Sequence, residues 1–383
     1  MRTCNVCDAV LDELLYKSPN KLSITSLCEI WKGETIIHRC SRCGHIQTDE
    51  LPDIEAYYDH EYNILIESED EDQIYRIENG VPVYRTDHQV SVFTSQIPLT
   101  AGTRVLDYGC AKGAVLRRLK ALRPDVLPYL FDVSNRYIDF WRAFASPDTC
   151  ATYKPRTEWD NYFDVVTSFY AFEHIGRPRE ALREIHRMLK PGALFYCVVP
   201  NVFTNSADFI VADHVNHFTE RSLSQLLWEE GFSIDSLDER THEGAFIVIG
   251  RRTDGRMIGG DRGAVVSGDP RVTALSEYWR TAGMHVRKCE EGHANARRAV
   301  IYGSGFYGTF IATCLEDFSR IECFLDRNPH RQGKRLLDRA IIAPDQLDSN
   351  VELIYVGLNP RSARASIAEI TGWDNRNYHF CYL

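Results

Sequence analysis

The 383-residue sequence lacks any apolar run of about 18 residues, the length that a membrane-spanning helix needs. It also lacks an excess of positive charge, because 44 lysines and arginines stand against 54 aspartates and glutamates, a formal net charge of -10. The first residues, Met1 to Cys4, contain no signal-peptide core. We therefore expect a soluble, cytoplasmic protein with no membrane partner, and without the basic surface that a nucleic-acid partner requires.

Internal repeats and low-complexity tracts are absent too, and the length predicts two to three domains, each with its own core. An acidic run from Glu67 to Asp72 is expected to be a solvated loop. Because the overall charge is negative, an anionic substrate would need a local cationic pocket. The 12 cysteines of a protein that is not exported are expected to be thiols or metal ligands rather than disulfides.

A glycine turn between two apolar runs is the most informative feature that is present. The first run predicts a strand that ends at Asp107, and a helix is expected over residues 111–121. Gly109 and Gly113 carry no side chain, so a ligand can lie against the backbone of the turn. Asp132 ends the second run, where a carboxylate can accept hydrogen bonds from both hydroxyls of a ribose. The predicted cofactor-binding residues are Asp107, Tyr108, Gly109, Gly113, Asp132 and Phe169.

This D-x-G-C-x-x-G pattern with its downstream Asp132 resembles the S-adenosylmethionine (SAM) site of class I methyltransferases, and it differs from the three-glycine dinucleotide fingerprint. The elements that follow are similar as well: a strand over residues 163–169, a helix over 178–189 and a strand over 193–199. Glu173 and His174 lie in the loop between that first strand and the helix. The resemblance implies that they position the methionine end of the cofactor. The alternative is an α/β domain whose glycine turn binds nothing.

Four cysteines near the start form two pairs, Cys4-x-x-Cys7 and Cys40-x-x-Cys43. Each pair places two thiolates on one tight turn, and two such turns complete a tetrahedron around zinc. A closed four-thiolate site is structural, and it would stabilise a segment of about 50 residues that can bury little core of its own. The alternative is four free buried thiols.

The C-terminal part contains a second glycine turn, Gly303-x-Gly305-x-x-Gly308, between a strand and a helix. A second strand ends at Asp326, which taken alone fits NAD binding. The next residues form the sequence D-x-N-P-x-x-Q-G-K. Local positive charge is supplied there by Arg327, Arg331, Lys334 and Arg335.

Together the three parts resemble the sugar C-methyltransferases, which act on nucleotide-linked keto-deoxysugars and use SAM. The implied fold is α/β: a class I methyltransferase domain of Rossmann-like topology, flanked by a zinc segment and a second Rossmann-like domain. We expect a zinc segment with a tyrosine-rich linker over residues 1–85, a SAM domain over 86–252 and a helix with a Rossmann-like domain over 265–383. The turn-rich linker from Arg251 to Gly268 marks the second boundary.

The same family carries Y-x-E-H after the fifth strand of its SAM domain, and here that place holds Val211 to His214. The resemblance implies that His214 is the catalytic base, with Asp213 in place of the glutamate. Val211 departs from the expected tyrosine, so the ketone could be held differently. His217 is the nearest candidate to donate to an enolate oxygen. The alternative is that both histidines only line a loop and cap a helix over residues 219–230, where Thr219 and Ser222 already offer a cap.

Two segments before the SAM domain complete the comparison with the family. Residues 57–63 resemble its linker, which contributes tyrosines to the active site, whereas the stretch from Tyr75 to His88 departs from the family versions. Three rival functions stay open: an O-methyltransferase, an RNA methyltransferase with a zinc module, and an NAD-dependent oxidoreductase. The sequence leaves open the sugar, the nucleotide, the methylated carbon, and whether the protein is a monomer or a dimer.

Overall fold

The computed structural model describes the whole chain except residues 1, 19, 20, 55, 56, 59–61, 63–67, 255–267, 297, 349, 371 and 374–377. Within the described part, no helix is both long and apolar enough to cross a membrane. The secondary structure mixes α-helices with parallel and antiparallel strands.

The strands, in chain order, are β1 (Glu13–Lys17), β2 (Ser23–Ile24), β3 (Ile30–Trp31), β4 (Ile36–Arg39), β5 (Ile46–Thr48), β6 (Ile74–Glu78), β7 (Val81–Tyr84), β8 (Arg104–Tyr108), β9 (Leu127–Asp132), β10 (Cys150–Thr152), β11 (Phe163–Phe169), β12 (Leu189–Pro200), β13 (Asn216–His217), β14 (Phe232–Asp238), β15 (Ala245–Arg252), β16 (Ala299–Tyr302), β17 (Ile321–Leu325), β18 (Arg335–Leu336), β19 (Arg339–Ile342), β20 (Leu353–Val356) and β21 (His379–Tyr382).

The α-helices are α1 (Arg85–Gln96), α2 (Ala114–Leu122), α3 (Ile138–Trp141), α4 (Pro178–Met188), α5 (Glu220–Glu229), α6 (Pro270–Gly292), α7 (Phe306–Cys314) and α8 (Ala363–Ala368). Short 3-10 turns connect several elements, including one over Phe172–His174. The chain divides into two compact units: residues 1–14, 37–204 and 213–267 form the first, and residues 15–36, 205–212 and 268–383 form the second.

The first unit is built on a seven-stranded sheet with the order β10-β9-β8-β11-β12-β15-β14. The strands from β10 to β12 run parallel, and β15 and β14 close the sheet antiparallel. Successive buried residues of β12 face opposite sides, so Phe195 and Cys197 join one core while Tyr196 and Val198 join the other. Both faces of the sheet are therefore covered, as expected for parallel strands.

Near the start of the chain, β4 and β13 both pair antiparallel with β5. The four paired cysteines are buried and belong to the same core as Phe195 and Phe232 of the large sheet. Arg179 on α4 reinforces this packing, because its Nη1 donates to the carbonyl oxygen of Val6 at 2.6 Å. The cysteine segment is thus packed onto the α/β sheet rather than folded as a separate core.

The second unit is built on a six-stranded sheet with the order β18-β19-β17-β16-β20-β21. All neighbouring pairs are parallel except β18 and β19. The long helix α6 precedes the sheet, and Asp269 caps it by accepting from the backbone N–H of Arg271. The unit has the parallel, Rossmann-like core expected from its glycine turn.

Two cysteines of the second unit correct an expectation. Cys289 and Cys381 form a disulfide, with Cα atoms 6.4 Å apart, whereas all the cysteines were expected to be thiols or metal ligands. The end of α6 and the edge strand β21 bring these residues together from positions 92 residues apart. No local spacing in the sequence indicates such a pair, and the Cα separation lies within the usual range for disulfides.

Candidate functional site

A cavity of about 830 Å³ lies in the first unit where the strand order reverses, at the carboxyl ends of β8 and β11. Ligands of open α/β sheets bind at this switch point because the neighbouring loops separate there. All six predicted cofactor residues except Gly113 line it. The lining includes Tyr58, Tyr62, Arg85, Gln89, Asp107, Tyr108, Gly109, Lys112, Asp132, Val133, Tyr153, Phe169, Tyr170 and His174.

The glycine turn has the backbone geometry that its sequence predicts. Gly109 and Gly113 have φ angles of 77° and 72°, in the left-handed region that favours glycine. A Cβ atom on Gly109 would lie 2.6 Å from the Cβ of Ala171, so a side chain there would clash. Helix α2 begins at Ala114 instead of the predicted residue 111, because Gly113 is its N-cap. The turn therefore brings backbone, rather than side chains, to the cavity wall.

Two carboxylates stand at the ends of neighbouring strands. Asp132 accepts from the backbone N–H groups of Ala111 at 2.7 Å and Ser134 at 3.1 Å, which leaves acceptor capacity on each oxygen for a ribose diol. Burial raises the pKa of Asp132 to about 6. Burial also raises the pKa of Asp107 to about 7, although the hydroxyl of Thr167 donates to it at 2.9 Å. The carboxylate acceptors and the glycine turn fit an adenosine cofactor.

The acidic run was expected to be a solvated loop, and its described part, residues 68–72, is a loop with residues 68–70 exposed. Lys112, in the glycine turn, donates to the carbonyl oxygens of Ser68 and Glu71. Arg117 on α2 forms an ion pair of 2.8 Å with Glu69. The run is exposed to solvent at residues 68–70, yet these two cations hold it beside the cofactor turn because backbone carbonyls and a carboxylate face them.

A cluster of histidine and tyrosine side chains forms the other end of the cavity wall. The Nδ1 of His174 lies 2.9 Å from the hydroxyl of Tyr58 and 3.0 Å from the carbonyl oxygen of Asp213. The ring of His174 also meets that of His214, with centroids 4.5 Å apart and planes nearly perpendicular. Asp213 is fully buried, and its carboxylate lies 3.7 Å from the same Nδ1.

The predicted catalytic residues are only partly brought together. His214 and Asp213 lie in this cluster, but His174, not His214, lines the cavity. His217 lies in β13, where its Nε2 is 2.7 Å from the hydroxyl of Thr48, and it does not line the cavity. The predicted helix cap at Thr219 is present, as the N-cap of α5 in a capping box with Ser222.

Tyr58 and Tyr62 also line the cavity. Both lie in the linker over residues 57–63, which the family resemblance expects to contribute tyrosines to the active site; residues 59–61 and 63 of that linker lie outside the described part. Arg85 and Tyr170 line the cavity with no recognisable motif around them. Val211, where the family's tyrosine is expected, is buried in the second unit, and its strand-like bridge partner is Ile24.

The two cysteine pairs form a compact cluster. The sulfurs of Cys4 and Cys43 are 3.5 Å apart and those of Cys7 and Cys40 are 3.6 Å apart. Four thiolates around one zinc at 2.3 Å would be separated by about 3.8 Å, so these distances fit. Each pair is followed by a residue with positive φ, Asp8 at 57° and Gly44 at 75°, which closes the tight turn.

A second group of potential ligands lies at the cavity. Glu173, His174 and His214 each offer one atom, and these atoms lie within 4.8 Å of one another. Glu173 is 1% exposed, so its carboxyl group is buried beside two imidazoles. This set could hold a divalent cation, but it also contains His214, the predicted base.

The second glycine turn is closed by its own side chains. Asp326 accepts from the backbone N–H of Ser304 at 3.1 Å, from its hydroxyl at 2.5 Å, and from the N–H of Asn328 at 2.9 Å. Arg331 donates to the backbone oxygen of Ser304 as well. A Cβ on Gly308 would lie 1.9 Å from the carbonyl oxygen of Gly303. Gly303, Gly308 and Asp326 therefore have packing and turn-forming roles that require no ligand.

Comparison with known proteins identifies the central part of the chain. Residues 84–237 match a family model described as a methyltransferase domain. A comparison with curated proteins found no match. The matched residues run from the start of α1 to β14 and contain the glycine turn, Asp132 and the histidine cluster.

Solved structures similar to the chain cover less than half of it. One is a chain of a complex between the Haloferax volcanii Trm112 methyltransferase activator and a methyltransferase, with 20% identity, 44% of this chain and 91% of that chain covered, and a TM-score of 0.39. Another is a SAM-dependent methyltransferase from Mesorhizobium loti, with 17% identity, coverage of 43% and 98%, and a TM-score of 0.35. A third is the [4+2]-cyclase SpnF, with 17% identity, coverage of 48% and 87%, and a TM-score of 0.38.

Proposed function

Since the protein is a SAM-dependent methyltransferase, we propose that it methylates a carbon atom of a nucleotide-linked keto-deoxysugar, through an enolate formed by a histidine base. The observation that carries this proposal is the cluster of Tyr58, His174, Asp213 and His214 at the wall of the cofactor cavity. A base held next to the methyl donor is what carbon alkylation requires, because a ketone becomes a nucleophile only after it loses an adjacent proton.

The chemistry divides between the cofactor and this chain's own residues. When bound, SAM supplies an electrophilic methyl group. The residues of the chain must remove a proton from the carbon beside the ketone and stabilise the negative charge that develops on the ketone oxygen. Imidazole suits the first task because its ordinary pKa is near neutrality.

We assign the proton removal to His214, as the family resemblance implies, and give His174 a role that the sequence did not suggest. Because His174 lines the cavity and its ring meets that of His214, it can contact the substrate beside the base. The Nδ1 of His174 donates to the carbonyl oxygen of Asp213, which sets the tautomer of the His174 ring. The basic nitrogen of this ring is therefore Nε2. His217 is kept as the alternative base, with Thr48 as its partner.

The same cluster could instead take a proton from a sugar hydroxyl, which would make the protein an O-methyltransferase. The two functions differ in product: a carbon-bound methyl group has no heteroatom attached, and NMR of the isolated product separates them directly.

A screen of nucleoside diphosphates for binding in the presence of S-adenosylhomocysteine would test the nucleotide-linked substrate. Binding of none would contradict that substrate class while leaving methyl transfer itself intact.

An NAD-dependent oxidoreductase is disfavoured by the second glycine turn. The acid that would bind the ribose of NAD, Asp326, already accepts three hydrogen bonds from Ser304 and Asn328. A ribose diol would have to compete with these, because two of the three donors are backbone N–H groups fixed by the turn. We therefore give this turn a structural role in the second unit.

We further propose that Cys4, Cys7, Cys40 and Cys43 hold a structural zinc ion. All four are buried, and the set offers thiolates only. The division into a zinc segment over residues 1–85, a SAM domain over 86–252 and a C-terminal domain over 265–383 is part of the same proposal. Limited proteolysis that cuts the chain first within residues 252–265 would support the second boundary.

A further inference from the structure

Arg85 is distinguished from the other cations that line the cofactor cavity. Lys112 donates to two backbone carbonyls of residues 68–71, and Arg177 is 80% exposed and lies 3.6 Å from Glu180. Arg85 is half-buried, and among the described residues no carboxylate forms an ion pair with it. A guanidinium in a partly enclosed wall needs an anion to offset its desolvation. The charge of Arg85 is therefore available to a ligand of the cavity.

An aromatic ring holds this guanidinium in place. The Cζ of Arg85 lies 4.9 Å from the centroid of Tyr170, within the range of a cation–π contact. Tyr170 follows β11 with a φ of 53°, a left-handed conformation that is costly for a residue with a Cβ. Its N–H donates to the carbonyl oxygen of Val198 at 2.8 Å, which fixes the backbone there. The chain thus keeps a strained residue whose ring lines the cavity beside Arg85.

The hydroxyl of Tyr170 is fixed in turn by a buried histidine. It lies 2.8 Å from the Nε2 of His242, and burial lowers the pKa of His242 to about 3, helped by the charges of His88 and Arg85. The ring is therefore neutral at working pH and accepts from the tyrosine. Tyr75 and His88 pack around it, with ring centroids 4.7 Å and 4.9 Å away. The stretch from Tyr75 to His88, which departs from the family pattern, thus builds this support.

We propose that Arg85, held by Tyr170 and His242, binds the carboxylate of the methionine portion of the cofactor. Arg85 begins α1, and Gln89 lies one turn later on the same helix face, also lining the cavity. Asp72, beside them, already accepts from the N–H groups of Gln73 and Thr86 at 2.7 Å and 3.1 Å. A carboxylate matches the fork of a guanidinium, and Gln89 can add a neutral donor. The proposal rests on the cofactor occupying this cavity.

The test compares two nucleosides that differ in the amino-acid portion. S-adenosylhomocysteine carries the carboxylate, whereas 5′-methylthioadenosine has the same nucleoside and lacks it. Calorimetry should show that Arg85→Gln weakens binding of S-adenosylhomocysteine by about 10- to 100-fold, as expected for a lost charge-assisted hydrogen bond, and changes that of 5′-methylthioadenosine by less than about twofold. Tyr170→Leu should shift the two affinities in the same unequal way.

Arg104→Gln is the matched control, because Arg104 is also half-buried over a tyrosine ring, that of Tyr162, at 4.1 Å, but does not line the cavity. It should change neither affinity. Equal losses for both nucleosides with Arg85→Gln would overturn the proposal in favour of a structural role. The proposal would also be overturned if Arg85→Gln left the affinity for S-adenosylhomocysteine unchanged but abolished binding of a nucleoside diphosphate. Arg85 would then bind the anionic substrate rather than the cofactor. A wild-type protein that binds neither nucleoside would contradict the cofactor cavity itself.

Discussion

The Nδ1 of His174 lies 3.0 Å from the backbone oxygen of Asp213, the residue before the proposed base His214. This contact joins the loop after β11 to the segment before β13, so two distant parts of the chain fix one imidazole ring. The hydroxyl of Tyr58 donates to the same carbonyl oxygen at 3.2 Å. His174 is thereby held beside the proposed base, with the two rings in contact.

Cofactor binding should depend on the ionisation of Asp132. Its raised pKa of about 6 means that the carboxylate is ionised above that pH and protonated below it. Only the ionised form can accept both hydrogen bonds of a ribose diol. We therefore expect the affinity for S-adenosylhomocysteine to be constant above about pH 7. It should fall roughly tenfold by about pH 5, where most Asp132 carboxyl groups are protonated. Calorimetry across this range measures it.

Asp132→Asn is the control for this titration. At neutral pH the variant should bind S-adenosylhomocysteine more weakly, by about 1.5 to 3 kcal/mol. The reason is that an amide has one acceptor oxygen where the carboxylate has two. Its affinity should change less with pH than that of the wild type, because an amide does not titrate. A variant with the same pH profile and affinity as the wild type would show that Asp132 does not bind the ribose.

The purified protein should contain one zinc ion per chain. Cys40→Ser should lose most of the metal, since the remaining three thiolates cannot complete the tetrahedron. Because Cys40 and Cys43 share a core with Phe195 and Phe232, the loss should also lower the stability of the large sheet. Elemental analysis together with thermal unfolding would check both effects. Full zinc content in Cys40→Ser, or no zinc in the wild type, would contradict the site.

Acid should destabilise the protein through His45. Its ring is fully buried between Asn216 and Ser222, and burial lowers its pKa to about 4 from an ordinary value of 6.5. The unfolded chain therefore takes up a proton first, so the stability contribution is complete above 6.5 and is lost as the pH falls towards 4. Between about pH 7 and pH 5 the loss should be at most about 2 kcal/mol.

Denaturant unfolding of the wild type and of His45→Asn, run side by side, isolates this contribution. Zinc release at low pH affects both proteins, so only the difference between them reports on His45. The difference in free energy of unfolding should shrink as the pH is lowered. A difference that is constant with pH would mean that His45 does not titrate in this way.

Local patterns in the sequence predicted the geometry of the glycine turn and of the strand ends beside it. The strand ending near Asp107, the positive φ angles of Gly109 and Gly113, and Asp132 at the end of β9 follow from an apolar run and a turn, both of which are short-range features. The helix after the turn starts later than predicted, because the turn uses residues 109–113. Class I methyltransferase topology follows from the same order of elements.

The substrate half was harder to predict, because it depends on contacts between distant segments. His174 meets His214 and Tyr58 only after three separate loops converge. The link from Tyr170 to His242 spans 72 residues, and the disulfide between Cys289 and Cys381 spans 92. Neither pair has a spacing or motif that signals it in a single sequence. The acidic run similarly gained its partners, Lys112 and Arg117, from tertiary packing.

The central claim, carbon methylation through an enolate, is tested most directly by exchange of the proton beside the ketone of a nucleotide-linked keto-deoxysugar with deuterated water, without SAM. The account predicts exchange by the wild type and a fall of about 10² to 10⁴ in His214→Asn, with intact binding of S-adenosylhomocysteine and a parallel fall in methyl transfer. His174→Asn should also reduce exchange, and His217→Asn should spare it. Loss of exchange in His217→Asn alone would move the base to His217. Full turnover by all three variants, or a product methylated on oxygen, would contradict the enolate mechanism.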